Sequence, residues 1–77
     1  MADYRYLEEK KKSTKAVQTR ILALAPGEKI LFAELMMIAA NYGFGRKSTE
    51  ETVHIMADTG YVDLGYKDDR LYHLVRK

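Results

Sequence analysis

Apolar and polar positions change their period three times along the chain, and each change predicts an element. Leu7, Thr14, Val17, Ile21 and Leu24 recur at spacings of three, four or seven, which is the period of one helix face. Residues 2–25 therefore read as one long amphipathic helix or as two. The second reading rests on Ser13 and Thr14, which are good N-cap types ahead of Ala16, Val17 and Ile21, with Lys10, Lys11 and Lys12 placed to complement the dipole of a preceding helix. Pro26-Gly27 ends the segment in either case. Lys29-Ile30-Leu31 is a short extended piece, and residues 32–42 predict a helix with Leu35, Ile38, Ala39 and Tyr42 on one face. Gly43 is placed to close it in the left-handed conformation.

The stretch GFGRK then reads as a glycine-rich turn carrying two cations. Ser48-Thr49-Glu50-Glu51 has the form of a capping box, so the next helix is expected to open at Ser48. Thr49, Thr52, Val53 and Met56 form its narrow inward stripe, and Gly60 stops it. From there the period falls to two. Val62, Leu64 and Tyr66 share one face of a strand, followed on a second strand by either Leu71, His73 and Val75 or Tyr72 and Leu74. Lys67-Asp68-Asp69-Arg70 is the turn, where aspartates tolerate conformations that branched residues do not. A lone hairpin is unstable in water, so this one must lie against the helices, with residues 29–31 as the natural third strand.

Composition narrows the function classes. At 77 residues there is one domain, and a chain this short buries only about 60% of its unfolded surface. It lacks the size for an enzyme cleft on a separate scaffold. The absence of cysteine removes disulfides, thiolate nucleophiles and sulfur-ligated metals, as suits a reducing cytoplasm. The opening MADYRYLEEKKK has charges where a signal peptide needs an apolar run, so a cytoplasmic location is expected. Only Gln18 and Asn41 carry side-chain amides while charged residues reach 31%, the bias of proteins from hot environments. His54 and His73 are the only imidazoles and fall on different elements. No catalytic residue, metal or cofactor is expected. The formal charge of +2 is low for a nucleic-acid binder, so the argument must rest on where the cations sit.

Over roughly residues 14–77 the chain resembles the winged-helix branch of the helix-turn-helix superfamily. The resemblance is carried by Pro26-Gly27 before a short strand, Ala33-Glu34-Leu35 opening the second helix and Thr52-Val53 inside the third. Asp58-Thr59-Gly60-Tyr61-Val62 leads into the hairpin, with Ala57, Gly60, Tyr61 and Val62 at the positions where such proteins leave the helix and begin the wing. It is similar to small regulators of archaea and of archaeal viruses or plasmids. The resemblance implies an α+β winged helix-turn-helix over residues 14–77, a three-helix core with a small antiparallel sheet. Residues 1–13 would be an N-terminal extension, helical in either reading of the segment.

The resemblance also implies double-stranded DNA as the partner and regulation of transcription as the role. The third helix would be the recognition helix, with Arg46, Lys47, Ser48, Thr49, Glu51 and His54 toward base edges. Lys67 and Arg70 at the wing tip would reach the minor groove or phosphates. A bland role stands beside each: solvated turn cations for Arg46 and Lys47, a helix cap for Ser48 and Glu51, simple exposure for His54, and pairing with Asp68 and Asp69 for Lys67 and Arg70. Glu50, Glu51, Asp68 and Asp69 weaken the DNA reading, because carboxylates repel phosphate more often than they accept from cytosine. The alternative is a winged-helix module that binds proteins without direct DNA contact, and single-stranded nucleic acid is a third choice. Tyr4, Tyr6 and Leu7 exceed what a compact domain core requires, so a homodimer built partly from residues 3–24 is expected.

Overall fold

The computed structural model describes residues 4–77. It is an α+β fold of three helices and a three-stranded antiparallel sheet. The elements run α1 (Tyr4–Leu22), β1 (Lys29–Leu31), α2 (Phe32–Ala40), α3 (Arg46–Asp58), β2 (Val62–Lys67) and β3 (Arg70–Arg76). The sheet order is β1-β3-β2, so the short strand pairs with the far arm of the hairpin, Ile30 opposite Leu74. The third strand is where the sequence puts it.

Between one helix and two, the N-terminal segment is one, running without a break through residues 13 and 14. Ser13 and Thr14 are therefore interior residues and cap nothing. The inward row also differs from the expected one. Ser13, Val17 and Ile21 are buried at i, i+4 spacing, while Leu7 is 55% exposed and Thr14 half-buried. One turn past Ser13 the helix leaves the domain core, so its face is set there by what α1 meets locally. Tyr6 lies on the same side as Ser13, seven residues ahead, and packs on Phe44 with ring centroids 5.5 Å apart. Residues 1–3 of the expected extension lie outside the described residues.

The core collects Val17 and Ile21 from α1, Phe32, Leu35 and Ala39 from α2, Val53 and Met56 from α3, and Ile30, Val62, Leu71 and Leu74 from the sheet. α2 stops at Ala40, two residues short of the expected end, and leaves through a Schellman motif. Phe44 N–H donates to the Ala39 carbonyl and Gly43 N–H to that of Ala40, with Gly43 at φ 85°. α3 ends in the same way at Gly60, φ 88°, where Tyr61 N–H donates to Met56. Each exit turns the chain sharply enough to pack the next element back on the core.

The hairpin contains a bulge that the period-two pattern concealed. Gly65 faces His73 and Tyr66 faces Leu71, so β3 advances two residues where β2 advances one, and Tyr72 is the extra residue. This is why Leu71 and Leu74 are both buried. Neither expected face of β3 holds in full, and each contributes one residue to the core. Gly65 is required at the bulge because a Cβ there would collide with the His73 imidazole. At the tip, Asp68 and Asp69 have φ of 53° and 64°, the two positive values of a type I′ turn, which suits the right-handed twist of the strands.

Candidate functional site

The expected site residues fall on α3 and on the hairpin beside it. α3 begins at Arg46, earlier than the capping-box reading required, and its N-cap is Gly45 in extended conformation with no side-chain cap bond. Arg46 and Lys47 thus belong to the first helical turn and not to the preceding loop. The helix starts early because Arg46 is held in place. Its Nε donates to Glu50 at 2.9 Å one turn on, and its guanidinium stacks 5.3 Å from the buried Phe32 ring. An exposed i, i+4 pair and a surface cation–π contact together contribute about 1 kcal/mol.

The capping box does not form. Ser48 lies inside the helix, half-buried, and its carbonyl accepts from the Thr52 hydroxyl at 3.2 Å. Glu51 turns the other way, toward α1, and its carboxylate sits 3.5 Å from Lys10 Nζ. Thr49 cannot reach a base edge, since it is 1% exposed and its hydroxyl donates to the Gly45 carbonyl at 2.9 Å. The inward stripe of Thr49, Thr52, Val53 and Met56 is buried as a unit. That burial removes Thr49 from the surface.

What α3 shows to solvent is Lys47, Glu51, His54, Ile55 and Asp58, with Glu50 half-buried at one edge. On the hairpin side a groove is lined by Arg46, Glu50, His54, Tyr66, Asp69 and Arg70. The structure therefore brings Arg46, His54 and Arg70 together, and adds Glu50 and Asp69 to the same surface. A second groove, between the hairpin and the start of α2, has Phe32, Met36 and Leu71 in its lining beside Arg46, Lys67 and Arg70. On the opposite side a cleft lined by Tyr6, Lys10, Phe44, Lys47 and Glu51 separates α3 from α1. α3 is flanked on both sides by cations from other elements.

Lys67 and Arg70 face each other across the hairpin end. Among the described residues neither forms an ion pair with Asp68 or Asp69. Lys67 instead places its ammonium 5.1 Å from the Tyr72 ring. The bulge creates that contact by turning Tyr72 outward, where it is 45% exposed. Period-two patterning could not find Tyr72, but a glycine inside a strand was a signal of a bulge. Phe44 was likewise overlooked, although a large aromatic between two glycines has little reason to be there unless it packs on something.

Among the described residues no three histidine, cysteine or acidic side chains are grouped to hold a metal ion, and no helix is long and apolar enough to cross a membrane. No family model matches the sequence, and no curated protein and no solved structure matches it significantly.

Proposed function

We propose that the protein is a winged-helix domain that binds double-stranded DNA and regulates transcription. α3 is the recognition helix, entering the major groove, and the β2–β3 hairpin is the wing. The observation that carries this reading is the outer face of α3, which no other element covers and which is bordered by hairpin cations, Lys67 and Arg70, not held in ion pairs among the described residues. The helix glutamates that oppose the reading are each partnered, Glu50 by Arg46 and Glu51 by Lys10. Their charge toward an approaching phosphate is reduced accordingly. Lys47, His54 and Arg70 remain the side chains for base edges and backbone, and Ser48 contributes only from the side of its helical turn.

A protein-binding role is the second reading, and one observation favours it. Arg46 and Arg70 share their groove with Glu50 and Asp69, so the field there is close to balanced. Titration of a random-sequence duplex by fluorescence anisotropy at two salt concentrations separates the two. A DNA binder shows affinity that falls steeply with salt, and Lys67→Ala with Arg70→Ala flattens the dependence by roughly one unit per lost phosphate contact. Failure to bind any duplex at low salt would leave the protein-binding module. A two-fold dimer through the first turns of α1 completes the proposal, because Tyr4 and Leu7 are 79% and 55% exposed, and paired recognition helices suit a palindromic site.

A further inference from the structure

The positive charge of this chain is not where the winged-helix reading looks for it. α1 carries six cations, Arg5, Lys10, Lys11, Lys12, Lys15 and Arg20, against two carboxylates, Glu8 and Glu9. α3 and the hairpin together carry five cations against six carboxylates. A polyanion approaching the molecule is attracted by α1, while the surface of α3 and the hairpin is close to neutral.

The distribution along α1 is equally uneven. Arg20 is bound to Glu34 at 3.8 Å and Lys12 to Glu9 at 3.6 Å. Lys11 and Lys15 are exposed and, among the described residues, make no ion pair. They stand one turn apart on the outer face, about 6 Å along the axis, close to two phosphate steps of about 3.4 Å on one strand of a duplex. Lys10 joins this face to α3. It bridges to Glu51 and lines both the cleft against the start of α3 and the outer groove that contains Lys11 and Lys15. The basic stripe is thus continuous with the exposed face of α3, on the flank away from the hairpin.

We propose that α1, from Lys10 to Lys15, is the principal phosphate-contacting surface of the protein, holding duplex DNA beside α3 while the hairpin supplies the smaller contact. This inference rests on the duplex-binding reading. It explains how a chain of low net charge holds a polyanion: its cations are concentrated on one helix and its carboxylates distributed elsewhere. Exposed lysines on a single helix face also act as point charges without base recognition, so the α1 contribution is independent of DNA sequence.

The test is the salt dependence of binding to a random-sequence duplex, measured for the intact chain, for Lys11→Ala/Lys12→Ala/Lys15→Ala, and for Lys67→Ala/Arg70→Ala. All three lysines are exposed and alanine is the better helix former, so circular dichroism should show an unchanged fold. The α1 variant is expected to lower the slope of log affinity against log salt by about two to three units, at roughly 0.9 per phosphate lost. That reduction should exceed the effect of the hairpin variant, and arginine at all three α1 positions should preserve the slope. An intact chain that binds duplex with a slope unchanged in the α1 alanine variant overturns this inference and leaves the duplex reading standing. No duplex binding by the intact chain overturns both. If the α1 variant loses attachment to phosphatidylglycerol vesicles while its duplex binding is unaltered, the stripe belongs to a lipid surface and the proposal fails.

Discussion

Replacing Gly65 by alanine should destabilise the protein, and a second substitution should reverse the effect. A Cβ at residue 65 would occupy the space of the His73 imidazole, which faces it across the bulged end of the hairpin. Inserting a methyl group into an occupied site costs about 1–3 kcal/mol. Alanine in a strand interior recovers about 0.5–1 kcal/mol that glycine loses in backbone entropy. The net expectation is a loss of about 0.5–2 kcal/mol, and in a domain of this size each kcal/mol shifts Tm by about 4–8 °C. Thermal unfolding followed by circular dichroism would read it. His73 is half-buried on a strand, so His73→Ala alone has a modest cost, but it empties the space that the new methyl needs. In the double variant the collision is gone and the backbone gain of alanine appears. The cycle should therefore show a favourable coupling of about 1–3 kcal/mol, within the range for residues in direct contact. Additive single effects would refute the argument, because they would mean that the ring does not lie over Gly65.

Two further expectations follow from particular residues. Ser48→Ala should change Tm little, with a cost below about 0.5 kcal/mol, since Ser48 is inside α3 and the N-cap is Gly45. A loss of about 1 kcal/mol or more in thermal unfolding, the usual value of an N-cap hydroxyl, would restore the capping box. Light scattering of the intact chain at tens of micromolar should give a dimer mass, and Tyr4→Ser with Leu7→Ser should give a monomer. A monomeric intact chain would rule out assembly through the start of α1.

Much of this architecture was legible in the sequence because it depends on local rules. Gly43 and Gly60 mark helix ends since both must adopt positive φ in a Schellman exit, a requirement of backbone sterics alone. The α3 stripe of Thr49, Thr52, Val53 and Met56 was visible because helical period fixes which residues share a face. The Asp68-Asp69 turn and the third strand at residues 29–31 were readable on similar grounds, one from turn chemistry and the other from the need of a hairpin for support. What the tertiary structure alone decided depends on contacts between residues distant in the chain. α3 starts at Arg46 because Phe32, fourteen residues earlier, offers the face on which Arg46 stacks. Tyr6 rather than Leu7 faces the domain because Phe44 is there to receive it. Glu51 faces Lys10 on a different helix and leaves the capping role empty. The bulge at Tyr72 reconciles Leu71 and Leu74 with one core, which no strict alternation along β3 could do. Charge followed the same division: the sequence counts lysines and carboxylates, but only the packing of α1 beside α3 joins the basic stripe to the exposed recognition surface. Period and backbone sterics act within a few residues, whereas burial, ion pairing and register require the partner to be in place.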